Sequence, residues 1–170
     1  MVKHIVKDKT LINPIYCGDT TIGFFDGAAK EGRCGIGVII RVNPYHCYKA
    51  CMFIGRGTNI YAELVAFWTV LHLSKQLKIT NIHVAGDSKV VIDWYNKKAV
   101  LDVMLLRAWK EKIMDIGSSF TFLQVFHIHR SYNTVADTLS KAGLSKDQET
   151  LYVEEYKDGE KLTDCSSVIY

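Results

Sequence analysis

Apolar positions along the chain recur with two different periods. The run Thr20-Thr21-Ile22-Gly23-Phe24-Phe25 is rich in β-formers and breaks off at Asp26-Gly27-Ala28, which predicts a buried strand with a carboxylate at its carboxyl end. A turn at Lys30-Glu31-Gly32-Arg33 leads into a second strand over 34–42, where glycines alternate with Ile36, Val38 and Ile40. Asn43-Pro44-Tyr45-His46 marks a hairpin turn, and 47–55 a third strand. The period then changes. Leu64, Phe67, Trp68, Leu71 and Leu77 fall at helical spacing from 59 to about 77, with Thr58 in the N-cap position. Residues 79–85 predict a fourth strand ending in Gly86-Asp87-Ser88. Val90, Val91, Trp94 and Tyr95 then line a short helix, and Val103, Leu106, Trp109, Ile113 and Ile116 a longer one over 101–116. Residues 120–128 predict a fifth strand, apolar enough for an internal position, and 133–142 a last helix carrying Val135, Ala136 and Leu139.

The resulting order, β-β-β-α-β-α-α-β-α, predicts an α/β fold. Its sheet is mixed and five-stranded, three antiparallel strands joined to two parallel ones, with helices on both faces. Residues 1–18 lack sustained periodicity and read as a leader. Residues 19–145 form one domain, and 146–170 an acidic tail. Within that tail Lys157-Asp158-Gly159-Glu160 is a hairpin-like turn, so the tail is either an added edge hairpin or an unstructured remnant of a longer polyprotein.

With 48% apolar and 23% charged positions over 170 residues, the chain can build one sizeable core. It has no apolar run of the roughly eighteen residues a membrane span needs and no signal-peptide core at its start, which predicts a soluble, intracellular protein, cytoplasmic or nuclear. The cysteines Cys17, Cys34, Cys47, Cys51 and Cys165 are odd in number and have no zinc-type spacing, so they read as reduced thiols. The net charge of +3 is uneven: from Lys146 onward there are three basic against seven acidic residues, and eighteen against eleven before it. A body near +7 is compatible with a polyanionic partner and equally with a solvated basic face.

Taken alone, Asp26-Gly27 reads as a turn. Three later acids change that. Glu63, Asp87 and Asp137 each sit at a predicted element end or among apolar neighbours on a helix, where an uncompensated carboxylate is costly. Singly, Asp87 could cap the helix that follows it and Asp137 could be a solvated helix residue. Four acids placed so that they can converge predict a metal site.

The motifs Phe25-Asp26-Gly27-Ala28, Thr58-Asn59-Ile60-Tyr61-Ala62-Glu63, Gly86-Asp87-Ser88 and Asn133-Thr134-Val135-Ala136-Asp137-Thr138-Leu139-Ser140 together resemble the four signatures of type 1 ribonuclease H. Phe126-His127-Ile128-His129-Arg130, with Asn133 and Asp137, is most similar to the ribonuclease H domains of plant non-LTR retroelements. The resemblance spans about 20–143. It implies a metal-dependent endonuclease that hydrolyses the RNA strand of RNA/DNA hybrids, with two Mg²⁺ ions, or Mn²⁺, held by Asp26, Glu63, Asp87 and Asp137. Asp26 would bridge both ions, with Glu63 and Asp87 on one side and Asp137 on the other. It also implies nucleic-acid contacts from Gly27, Asn59, Ser88, His127 and Asn133, and a reverse transcriptase in the same polyprotein as a partner. From position alone Asn59 could equally be a helix-start residue, and Lys89, Lys97, Lys98, Arg107, Lys110 and Lys112 a solvated face. Two departures stand out. The loop after Asp26 lacks the family's glycine-asparagine-proline-glycine turn, and His127 and His129 lie at a strand end where relatives carry a mobile histidine in a loop. Arg130 is then the candidate for that histidine's catalytic role, and His127, beside Phe126 and Ile128, reads as a half-buried core residue. The competing readings are a binding or scaffold domain of a retroelement polyprotein with little cleavage, and an exonuclease or resolvase on the same fold.

Overall fold

A computed structural model describes residues 20–146 and 150–168, apart from the side chains of 163–168. The leader expected over 1–18 lies outside the described residues. The first three strands, β1 (Ile22–Lys30), β2 (Arg33–Asn43) and β3 (His46–Arg56), form an antiparallel meander. Its first turn is a two-residue hairpin in which Glu31 and Gly32 both take positive φ, 54° and 79°, the geometry that matches strand twist. Helix α1 (Asn59–Gln76) follows, capped as expected: the Thr58 hydroxyl accepts from the backbone N–H of Tyr61 at 3.2 Å. Then come β4 (Asn81–Gly86), α2 (Lys89–Tyr95), a 3₁₀ turn at Met104–Leu106, α3 (Arg107–Ser118), β5 (Phe122–His127), a second 3₁₀ turn at Arg130–Tyr132 and α4 (Thr134–Gly143). The chain returns to the sheet as β6 (Thr150–Lys157) and β7 (Glu160–Val168).

Among the described residues the strands form one sheet in the order β5-β4-β1-β2-β3-β6-β7, with β4 and β5 parallel to β1 and every other pairing antiparallel. The sheet therefore has seven strands where five were expected, the two extra ones being the edge hairpin that was one of the two alternatives for the tail. The two additions cover the outer edge of β3, whose backbone groups would otherwise face solvent unpaired. Side chains help hold the new pairing: Glu155 on β6 accepts from Tyr48 Oη at 2.9 Å and lies 2.7 Å from His46 Nε2, both on β3, while Leu151 is buried in the main core.

β5 is an edge strand and not the internal one its composition suggested. Of its residues only Val125 is buried, and Phe122, Gln124 and His127 face solvent. His127 is accordingly exposed, where a half-buried core position was expected. The helix expected from 101 starts at Arg107 instead. Leu101 and Leu106 are buried but Val103, Met104 and Leu105 are exposed, so this apolar run does not present one continuous helical face to the core.

The core has two sides. On one, α1 lies across β1 and β2 with Leu64, Phe67, Val70 and Leu71 buried, the rings of Phe25 and Phe67 stacking at 4.9 Å. α3 covers the outer flank of α1 through the edge contact of Trp68 with Trp109 at 5.7 Å. On the other side α4 packs Ala136 among Ile22, Phe24, Ile39, Ala85 and Ile128.

Candidate active site

β1 and β4 run side by side as far as the pair Phe25 and Gly86. The next residue in each chain segment is an aspartate, so Asp26 and Asp87 stand together where the parallel pairing of β1 and β4 stops; β1 itself runs on to Lys30 in its pairing with β2, so Asp26 is mid-strand and not at the strand's carboxyl end as expected. β1 is paired there with antiparallel β2 on its other side, and such a crevice at strand ends is where open α/β sheets place their sites.

Two glycines on opposite faces bring the helices to this point. A β-carbon on Gly27 would fall 2.3 Å from the carbonyl carbon of Ala62 and 2.5 Å from the nitrogen of Glu63, so α1 touches the backbone of β1 just where it presents Glu63. On the other face Gly37 is the cross-strand partner of Asp26, and a β-carbon there would fall 2.3 Å from the carbonyl oxygen of Ala136, the residue before Asp137. Each close approach delivers one acid.

One carboxylate oxygen from each of Asp26, Glu63 and Asp87 can be chosen so that all lie within 4.8 Å of one another. Asp26 is 4% exposed and Glu63 8%. Burial pushes the Asp26 carboxyl up to about 7; the charges of Asp87 and Asp137 add to the rise, against the contact with Glu63, which lowers it. Burial, then the charge of Asp26, raises the Glu63 carboxyl well above its ordinary value. Asp87 is raised too, again by burial, with a hydrogen bond from Asn133 and the charges of Arg130 and His127 opposing. The N–H of Gly27 donates to Asp26 Oδ1 at 3.0 Å, and Glu63 Oε2 is buried with no hydrogen-bond partner. Three crowded carboxylates, two of them buried and one half-buried, with an orphaned oxygen are poorly stabilised by protein alone. A hard divalent cation with all-oxygen coordination fits the donor set.

Residues 24–143, which include all four acids, match a family profile described as reverse transcriptase-like. The chain belongs to this reverse-transcriptase-like family of type 1 ribonucleases H. Solved structures agree on the fold. Ribonuclease H1 of the halophilic archaeon Halobacterium salinarum superposes with a TM-score of 0.70 at 23% identity, over 74% of this chain and 97% of that one. LC11-RNase H1, solved in complex with an RNA/DNA hybrid, gives 0.65 at 23% identity over 74% and 96%. The foamy viral protease-reverse transcriptase, also in complex with an RNA/DNA hybrid, gives 0.60 at 18% identity over 75% of this chain and 20% of that one. No curated protein matches the sequence.

The remaining candidates of this ribonuclease H are distributed unevenly around the three acids. Asp137 stands outside the tight group, paired with Lys141 Nζ at 2.9 Å on the same helix, yet its charge still reaches Asp26 and Asp87. Arg130 is exposed in the 3₁₀ turn ahead of α4, and its charge acts on Asp87. His127 Nε2 donates to the carbonyl oxygen of Asp87 at 3.2 Å. Asn59, exposed, opens α1 one turn before Glu63; Ser88 occupies the N-cap of α2 without a side-chain capping bond. Asn133 is only 2% exposed and turns its amide inward. Of the basic residues, Lys89 pairs with Asp93, Arg107 with Glu111, and Lys112 lies over the rings of Trp68 and Trp109, while Lys97 and Lys98 stay at the surface. Two residues that position the acids escaped the sequence reading: Gly37, signalled only by its place in a glycine-alternating strand, and Phe25, which acts through its carbonyl.

Proposed function

We propose that this chain hydrolyses the RNA strand of RNA/DNA hybrids with divalent metal ions, Mg²⁺ or Mn²⁺, held by Asp26, Glu63 and Asp87 with Asp137 completing the set. The observation that carries the reading is the trio of carboxylates, two buried and one half-buried, each of which offers an oxygen within 4.8 Å of the others where β1 and β4 stop pairing. When bound, such ions supply Lewis-acid stabilisation to the attacking and leaving oxygens of an in-line displacement at phosphorus. In this reading Asp26, central among the acids, is the ligand shared between two ions. Asn59 presents an amide that can both donate to and accept from a ribose 2′-hydroxyl, the group by which RNA is told from DNA. Ser88 and Gly27 meet the nucleic-acid backbone, and Arg130 meets a phosphate.

Two of the structural neighbours were solved with an RNA/DNA hybrid, which supports the substrate class. In one of them the matching domain forms 20% of a protease-reverse transcriptase, which supports a retroelement origin and a reverse transcriptase as partner. Residues 19–145 are the catalytic unit in this reading, and the hairpin of β6 and β7 is an addition beyond the family span.

The test is a cleavage assay on an end-labelled RNA/DNA hybrid, single-stranded RNA, duplex RNA and duplex DNA, with and without Mg²⁺. The expected result is metal-dependent cutting of the RNA strand of the hybrid alone, weakening steeply with salt as phosphate contacts are screened. Binding of the hybrid without cleavage under any divalent ion would move the assignment to a binding domain. Cutting of duplex DNA would move it to a resolvase-like nuclease.

A further inference from the structure

Asn133 sits in the gap between the strand ends and α4, and it touches the flanks of three acids at once. Its Nδ2 donates to the carbonyl oxygen of Phe25, the residue before Asp26, at 2.9 Å. The same nitrogen reaches Asp87 Oδ2 at 3.5 Å. Its backbone carbonyl accepts from the N–H of Asp137 at 3.0 Å, the first bond of α4. These contacts belong to β1, to the segment after β4 and to α4, three elements joined here by no shared strand pairing beyond Phe25 and Gly86.

We propose that Asn133 is a positioning residue that holds Asp26, Asp87 and Asp137 in register for metal binding, and that it does not contact nucleic acid. The inference rests on the reading of these acids as metal ligands and deepens it. The chemistry suits an amide. Both side-chain targets are acceptors, a carbonyl and a carboxylate oxygen, so the position needs one nitrogen with two hydrogens, which serine supplies in part and aspartate not at all. At 2% exposure the side chain is closed to a substrate lying on the surface. Partners that orient ligands in this way typically change metal affinity by about 10- to 100-fold when removed.

The test uses the whole chain and measures Mn²⁺ binding by calorimetry beside steady-state cleavage of the hybrid and circular dichroism, for wild type, Asn133→Ala, Asn133→Ser and Asn133→Asp. The expected result is that Ala lowers Mn²⁺ affinity about tenfold or more and lowers kcat, leaves KM for the hybrid within about twofold, and is partly rescued by Ser. Asp keeps the shape but sets an acceptor against two acceptors, so it falls below Ala in affinity; if Asp fails to fold, Ala and Ser decide. Unchanged Mn²⁺ affinity in Ala, or a raised KM with affinity intact, overturns the proposal. Wild type that binds no Mn²⁺ overturns instead the reading of the acids on which it rests.

Discussion

Gly37 and Ala136 are packed backbone to backbone, so closely that a β-carbon on the glycine would stand 2.3 Å from the alanine carbonyl oxygen and 2.4 Å from the nitrogen of Ser140. Because Gly37 pairs with Asp26 and Ala136 precedes Asp137, this contact sets how far the acid on the helix lies from the acid on the strand. Gly37→Ala must push α4 outward, since backbone cannot swing aside as a side chain can. We expect a loss of about 1–3 kcal/mol in urea unfolding and at least a tenfold drop in cleavage. Gly23→Ala is the control: its β-carbon meets a methyl of Val70 at 2.7 Å, on a side chain in the core away from the acids. It should cost stability and leave kcat near wild type. Equal loss of activity in both variants would show that α4 placement is not what Gly37 sets.

Asp26→Asn should abolish cleavage and raise the stability of the metal-free protein above neutral pH. The sign follows from the direction of the shift. Burial pushes the folded Asp26 carboxyl up to about 7 from its ordinary 3.8, so the native state holds the extra proton between these values. Stability therefore falls as pH rises through that window, by about 1.4 kcal/mol for each pH unit over which the states differ by a full proton. Thermal melts of wild type in EDTA should decline from pH 4 to 8, the decline should be smaller for Asp26→Asn, and Mg²⁺ should restore wild type but not the variant. A flat wild-type profile in EDTA would contradict the crowding of these carboxylates.

Much of this architecture was legible in the chain because local signals and burial agree. Thr58 is the cap of α1, and Leu64, Phe67 and Leu71 are buried as their spacing implied, although burial extends around the helix from Ala62 to Leu71. Gly-Asp-Ser marks the end of β4 as expected, whereas β1 continues through Asp-Gly to Lys30 because β2 keeps pairing with it. What escaped depends on tertiary partners. Whether 120–128 is central or at an edge turns on which strand lies outside it, and an apolar run is compatible with either. That β3 would take β6 as a neighbour is written in pairs such as His46 with Glu155, more than a hundred positions apart. The resemblance implies a nucleic-acid contact for Asn133, and its motif carries no sign that the amide turns inward to Phe25.

The hairpin of β6 and β7 lies beyond the family span, yet its Leu151 is buried in the same core as Phe25 and Phe67. Leu151→Ala should therefore cost about 2–5 kcal/mol, the range for truncating a fully buried leucine. Unfolding should remain a single transition by fluorescence and circular dichroism. A loss below about 0.5 kcal/mol, the size of a surface substitution, would mean that the hairpin does not share the domain core.

Arg130 tests the most specific part of the functional assignment. It is exposed in the turn between β5 and α4, close enough to Asp87 for its charge to lower that carboxyl, so it stands at the rim of the acids with its guanidinium open to a phosphate. A guanidinium is always charged and meets phosphate through two parallel hydrogen bonds, whereas a histidine in the same role titrates near neutrality. Arg130→Ala should lower kcat by about 10- to 1000-fold, the scale for losing one electrostatic stabiliser of a transition state. Metal affinity should change little, because the guanidinium has two opposed effects there: it keeps Asp87 ionised and repels a cation. Arg130→Lys should recover only part of the loss, keeping the charge without the fork. The pH profile of kcat should carry no limb from this residue in wild type. If both variants cleave like wild type, Arg130 is a surface charge worth under about 1 kcal/mol. His127, exposed and donating to the Asp87 carbonyl at 3.2 Å, then becomes the residue to replace, and a fall in kcat in His127→Ala with Arg130→Ala unchanged would assign the role to it.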